Sequence, residues 1–126
     1  MAVSKKVLIC DDEPYIIESV SYVARKEGCE IATAEDGEEA IAAAHTQLPD
    51  LILLDLMMPK KTGFQVCQEL RADPTFKDTY IIILTARGQE ADLQEARSAG
   101  ANEYLTKPFS PRALQQKIHE VFARRS

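Results

Sequence analysis

No apolar run in the sequence approaches the length of a membrane span. The start has no signal-peptide core either: Val7 to Cys10 is too short, and carboxylates follow at once. Basic residues are not in excess. Lysine and arginine number 15 against 20 aspartates and glutamates, a net charge of −5. This argues against non-specific nucleic-acid binding, because neutralising phosphates needs a basic face. Lys5, Lys6, Arg124 and Arg125 sit near the termini and read as solvated charge. Cysteine is scarce. Cys10, Cys29 and Cys67 are odd in number and lack ligand spacing, which favours buried free thiols in a reducing compartment over a disulfide or a metal site. His45 and His119 have no second histidine or cysteine at ligand spacing, so both read as surface residues. No linker, low-complexity tract or second domain is visible. The expectation is one cytoplasmic domain over residues 1–126, with no membrane association.

A chain of 126 residues, 45% hydrophobic, can bury a core without staples. Its centre of gravity is Asp50-Leu-Ile-Leu-Leu-Asp55-Leu-Met-Met-Pro59. The short apolar run Leu51 to Leu54 predicts a strand buried on both faces, with Asp55 at its C-terminal end. Pro59 prevents the pattern from continuing. Val7 to Cys10 and Tyr80 to Thr85 are further runs of the same kind, and Glu30 to Ala34 and Glu103 to Thr106 read as shorter strands.

Helical patterns fill the gaps. Pro14 suits a first turn, with Ile16, Ile17, Val20, Val23 and Ala24 at helical spacing and Gly28 as the stop. Asp36 with Glu39, and Thr62 with Gln65, have the spacing of capping boxes. The first opens a helix with Ala40, Ile41 and Ala44 inward. The second opens one with Phe64, Val66, Cys67 and Leu70 inward, closed at Asp73-Pro74. Gln89 to Ala99 is predicted helical with Leu93 and Ala96 inward, and Ser110-Pro111 starts the last helix, which buries Leu114, Ile118, Val121 and Phe122. Strand–helix alternation with greasy strands implies an α/β fold: a doubly wound, five-stranded parallel sheet between helices.

Asp11 and Asp12 follow the first strand, Asp55 ends the third, Thr85 the fourth, and Lys107 follows the fifth. In such a sheet these ends share one edge and can meet. Clustered carboxylates repel one another unless a cation intervenes, and oxygen ligands of this kind suit Mg²⁺. Lys107 adds a point charge and Thr85 a hydroxyl donor. The set describes a carboxylate nucleophile in a charge-stabilised phosphoryl-transfer site. Taken singly, each member has a blander reading. Asp11 and Asp12 could be acids at a helix start, Asp55 a turn residue, Thr85 a strand-end hydroxyl and Lys107 a solvated charge. Only their joint placement favours function.

Four motifs in order, Asp11-Asp12-Glu13-Pro14, Asp55-Leu-Met-Met-Pro59 with Gly63, Leu84-Thr85-Ala86 and Tyr104-Leu-Thr-Lys107-Pro108-Phe109, resemble the response-regulator receiver (CheY-like) domains of two-component signalling, along nearly the whole chain. The resemblance implies a flavodoxin-like sheet of order 2-1-3-4-5. It implies that Asp55 accepts a phosphoryl group from a histidine kinase or phosphotransfer protein. Asp12 would ligate Mg²⁺ directly, Asp11 through water, and Met57 through its backbone carbonyl. Thr85 and Lys107 would hold phosphoryl oxygens, Lys107-Pro108 would be cis, and Tyr104 would report a switch with Thr85. The protein would be no enzyme beyond its own phosphorylation and dephosphorylation. It would act as a monomer or weak dimer on an unidentified protein target, without binding nucleic acid by itself. Met57 and Arg87 flank the site, where they are expected to hinder attacking water and lengthen the life of the phospho-form.

Two other functions compete. A haloacid-dehalogenase-like phosphatase uses the same residue types, but its nucleophile should follow the first strand in an Asp-x-Asp arrangement, which Asp11-Asp12-Glu13 does not provide. A flavodoxin-like cofactor site should offer its first loop to a phosphate, which these acids would repel.

Overall fold

The computed structural model describes residues 5–86 and 90–125. The strands are β1 (Lys6–Cys10), β2 (Glu30–Ala34), β3 (Leu51–Asp55), β4 (Tyr80–Thr85) and β5 (Glu103–Thr106). The helices are α1 (Pro14–Lys26), α2 (Gly37–Gln47), α3 (Gly63–Arg71), α4 (Glu90–Ala99) and α5 (Pro111–Arg125), with a 3₁₀ turn at Pro74–Phe76. All strand pairs are parallel, in the order β2-β1-β3-β4-β5. The expected α/β sheet and its order are therefore present.

Alternation along the strands sorts the core into two layers. Val7, Ile9, Leu51, Leu53, Ile82 and Leu84 pack with α1 and α5. Leu8, Cys10, Ile52, Leu54, Ile81 and Ile83 pack with α2, α3 and α4. Every residue of β3 is buried, because helices cover both sides of its central position. β2 and β5 lie at the edges and are only partly covered, so their sequences carry fewer apolar residues.

The expected caps form, but of the two expected capping boxes the reciprocal one is at Thr62, while the Glu39 carboxylate of α2 accepts from the Glu35 N–H at 3.4 Å. The Asp36 carboxylate accepts from the Glu39 N–H at 2.8 Å. Thr62 and Gln65 make a reciprocal box, at 3.2 Å from the Gln65 N–H to the Thr62 hydroxyl and 2.9 Å from the Thr62 N–H to the Gln65 side chain. The Ser110 hydroxyl accepts from the Ala113 N–H at 3.0 Å. α1 ends as expected at Gly28, whose φ of +79° is the left-handed conformation that ends helices.

One expectation needs correcting. In α4, Ala96 is buried as expected, but Leu93 is only half-buried and Asp92 takes the inward position with Ala96 and Ala99. These three recur at four- and three-residue steps, so the helix presents one narrow stripe and Leu93 falls beside it. Gln89, the expected first residue of that helix, lies outside the described residues. The histidines are on the surface but not idle. His45 bonds the Ile41 carbonyl at 3.0 Å and the Asp73 carboxylate at 3.2 Å, and His119 meets Glu27 at 3.1 Å. The three cysteines are free and buried, as expected. No helix among the described residues is long and apolar enough to cross a membrane.

Candidate functional site

The sheet register brings the polar residues together. Cys10 pairs with Leu54, so Asp11 and Asp55 emerge side by side from β1 and β3. Asp55 pairs with Leu84, and Thr85 with Thr106, which sets Thr85 and Lys107 along the same edge. The Leu56 N–H donates to the Leu84 carbonyl at 2.9 Å and the Lys107 N–H to the Thr85 carbonyl at 2.6 Å, extending the sheet bonds past the strands into the site.

Lys107 is the hub. Its ammonium donates to Asp11 Oδ2 at 2.8 Å and to Asp55 Oδ1 at 3.1 Å. The other Asp11 oxygen accepts from the Glu13 N–H at 3.0 Å, fixing that carboxylate. Carboxylate oxygens of Asp11, Asp12 and Asp55 all lie within 4.8 Å of one another. Asp11 is fully buried, Asp55 is 6% exposed and Thr85 1%, while Asp12 reaches solvent. The acceptor candidate is thus shielded, with an opening on the Asp12 side.

The electrostatics follow from that burial. Burial, and then the negative charge of Asp11, push the Asp55 carboxyl up to about 6, against the pull of Lys107. Burial opposes the Lys107 charge as well, but hydrogen bonds to Asp11 and Asp55 outweigh it and raise the ammonium above its ordinary value. Three carboxylates face one ammonium, so negative charge is left over in a shielded hollow. An all-oxygen donor set with surplus negative charge fits a hard divalent cation such as Mg²⁺.

The remaining expected residues fall around this core. The Met57 side chain is 59% exposed at the rim, and Met58 is buried. Arg87, expected to flank the site with Met57, lies outside the described residues. Tyr104, paired with Ile83 on β5, is half-buried against the core layer of α2, α3 and α4. It lines a hollow of about 220 Å³ with Leu93 and Arg97 of α4. The Lys107–Pro108 bond is cis.

Some features went unseen in the sequence. An apolar hollow of about 530 Å³ between α1 and α5 runs along Ile16, Val20, Phe109 and Leu114 and ends at Lys107. Two distant helical patterns make its walls, so no local signal marks it. Arg71 reaches from α3 to the carbonyls of Gly100 at 2.8 Å and Phe76 at 2.6 Å and to Asn102 Oδ1 at 2.7 Å. It ties the α3–β4 and α4–β5 connections together, and nothing in its neighbours' sequence announces it.

With fold and site in place, the class is defined: the chain belongs to the response regulator receiver domain family, whose model matches residues 7–119. It is 40% identical over 121 residues to the alkaline phosphatase synthesis transcriptional regulatory protein PhoP of Bacillus subtilis, covering 96% of this chain and 50% of that protein. It is 44% identical over 120 residues to the probable transcriptional regulator ycf27 of Guillardia theta, covering 95% and 46%. The chain thus spans about half the length of these curated relatives. Among solved structures, the chemotaxis response regulator CheY4 of Vibrio cholerae superposes with a TM-score of 0.89 at 36% identity, covering 94% of this chain and 99% of that one. The family is one of signalling switches within two-component systems.

Proposed function

We propose that residues 1–126 work as one receiver unit, in which Asp55 accepts a phosphoryl group from a histidine kinase or phosphotransfer protein. The observation that carries this reading is the bridging of Asp11 and Asp55 by Lys107 beside a third carboxylate. A carboxylate oxygen of Asp55 attacks the donor phosphorus. The O–P bond forms as the donor's N–P bond breaks, and the electron pair leaves with the imidazole nitrogen. Lys107 is placed to follow the incoming oxygens and offset their charge, and the Thr85 hydroxyl to donate to one of them. Asp12 and Asp11, with Asp55 and the Met57 carbonyl, are the groups that would hold Mg²⁺. When bound, that ion supplies positive charge to the transferring oxygens. The apolar hollow ending at Lys107 gives a phosphodonor protein a surface to seat against.

The test is incubation with acetyl phosphate and Mg²⁺ followed by intact-mass measurement. Wild type gains one phosphoryl group and Asp55→Asn gains none. Equal labelling of both would remove Asp55 from the role.

The new group brings roughly −1.5 to −2 charges, by analogy with other phospho-residues. Thr85 and Lys107 are drawn toward it. Movement of Thr85 makes room for Tyr104 to turn further inward, and this alters the face built from α4, β5 and α5 that a downstream protein reads. Differential contacts of about 1.4 kcal/mol per tenfold suffice to shift a two-state population. Thr85→Ala is expected to accept the phosphoryl group yet show no change in Tyr104 environment, read by ring NMR shifts before and after phosphorylation. A wild-type Tyr104 response in that variant rules out the coupling.

Met57 follows Asp55 by two positions and its side chain is exposed, so it is read as flanking the approach to the acceptor. Met57→Asn is expected to shorten the life of the phospho-form, measured as loss of the phosphoryl mass with time, and an unchanged lifetime rejects a shielding role. The protein is read as cytoplasmic, a monomer or weak dimer, acting through protein contacts rather than by binding nucleic acid itself.

A further inference from the structure

Residues 56–62 leave the acceptor strand, carry Met57, and lead into α3. This loop is held at two places. At its far end, a Cβ added to Gly63 would lie 2.7 Å from the Asp55 carbonyl oxygen, and the Gly63 N–H donates to the Leu56 carbonyl at 2.8 Å. In its middle, the loop rests on the first turn of α2. The Gly37 N–H donates to the Pro59 carbonyl at 3.1 Å, and the Lys61 N–H donates to the same oxygen at 2.9 Å.

Gly37 has no left-handed φ to explain it. At the first position of a helix, alanine is intrinsically the better residue. The approach of the loop accounts for the missing side chain. A Cβ at Gly37 would lie 2.4 Å from Lys61 Cβ, 2.7 Å from Lys61 O and 2.9 Å from Lys61 Cα. Two of those atoms are backbone, so no rotamer change relieves the clash. Between the two held points, Lys60 has a φ of +73°, a conformation that a residue with a side chain keeps only when its surroundings over-determine it. Its ammonium lies 3.6 Å from both Asp36 Oδ2 and Glu38 Oε2, the residues on either side of Gly37.

We propose that Gly37 is a positioning residue for the phosphoryl-transfer site: it lets the first turn of α2 meet the Lys61 backbone, and so fixes the 56–62 loop that places the Met57 carbonyl and the end of β3. The Asp36–Lys60–Glu38 ion pairs secure the same contact from outside. This inference rests on the phospho-acceptor reading.

The decisive variant is Gly37→Ala in the full chain. The Mg²⁺ dissociation constant, measured by calorimetry without phosphodonor, is expected to rise about tenfold, as when groups behind metal ligands are altered. Amide NMR shifts should spread through residues 56–62. Thermal stability should fall, because the clash with the Lys61 backbone is relieved only by movement of the chain. Phosphorylation by acetyl phosphate should slow at limiting Mg²⁺ and recover at high Mg²⁺, which a merely structural role would not produce. Wild-type Mg²⁺ affinity, with shifts confined to α2, overturns the inference.

Should Gly37→Ala fail to fold, Lys60→Gly decides. Glycine takes the same φ without strain but lacks the ammonium, so faster amide exchange at Lys61 and Gly63 with weaker Mg²⁺ binding is expected. Unaltered exchange and affinity overturn the inference. If wild type itself neither binds Mg²⁺ nor takes a phosphoryl group, the acceptor reading fails and the inference falls with it. If wild type does both and Gly37→Ala matches it, the inference alone fails.

Discussion

At about pH 7 and without divalent metal, Asp55→Asn is expected to be more stable than wild type by about 3 kcal/mol, at roughly 1.4 kcal/mol for each pKa unit removed. The cause is the raised carboxyl of Asp55, at about 6 in the folded chain against an ordinary value of 3.8, through burial and the neighbouring Asp11. A carboxyl raised by folding costs the folded state stability wherever it must be charged. Above about 6 the full cost applies. As pH falls through the interval between about 6 and 3.8, the folded chain takes up the proton first and gains stability. Below that interval both states are protonated and the group has no further influence. Urea unfolding of the two proteins should therefore show a gap at neutral pH that narrows steadily as pH falls to about 4. Asparagine keeps an oxygen that can accept from Lys107, so the bridge geometry survives the change. Mg²⁺ should act in the opposite sense, stabilising wild type by about 2.7 kcal/mol at a hundred times its dissociation constant and the variant by less. A variant less stable than wild type at neutral pH in metal-free buffer would show that the site holds no surplus negative charge.

Lys107→Ala is expected to destabilise the metal-free protein by about 3 kcal/mol, the low end of what removing one partner of a buried ion pair costs. The ammonium bridges Asp11 and Asp55 at 2.8 Å and 3.1 Å, and all three side chains are largely withdrawn from solvent. Its loss leaves facing carboxylates with no counter-charge. Because folding raises the Lys107 value, its contribution is complete below the ordinary value of 10.5 and disappears as pH climbs through the higher folded one. The difference from wild type should thus be full at neutral pH and close only in strongly alkaline solution. Acid should also narrow it, since protonating Asp55 relieves the repulsion. Paired urea titrations across pH read both arms. The two substitutions touch each other in the structure yet are expected to act in opposite directions. Loss of packing alone would make both destabilising, so the signs separate the electrostatic account from the steric one.

Much of the site could be read in advance because its members sit at strand ends. Val7 to Cys10, Leu51 to Leu54 and Tyr80 to Thr85 are apolar enough to require cover on both faces, and β1, β3 and β4 hold the three inner places of the sheet. Once those runs are strands, Asp11, Asp55 and Thr85 must share an edge. The caps at Asp36, Thr62 and Ser110 were equally plain, since a cap involves residues two or three positions apart. Residues whose partners are remote in sequence were not legible. Arg71 bonds Gly100 and Asn102, 29 and 31 positions away, and Gly37 presses on Lys61. Asp92 displaced Leu93 from the inward position because the rotation of α4 is set by what lies beneath it. His45 and His119 were correctly placed on the surface, but Asp73 and Glu27 as their partners were not foreseen.

The amino-acid order by itself determined the alternation of strands and helices, the buried identity of the inner strands, and which side chains lie at the strand ends, because these depend on periodicity and on neighbours a few residues apart. The tertiary structure decided that Lys107 reaches across 96 and 52 positions to Asp11 and Asp55, and that α2 braces the loop beyond Asp55. Charge balance and steric fit act through space, and the distances on which they depend exist only once the sheet has brought its edges together.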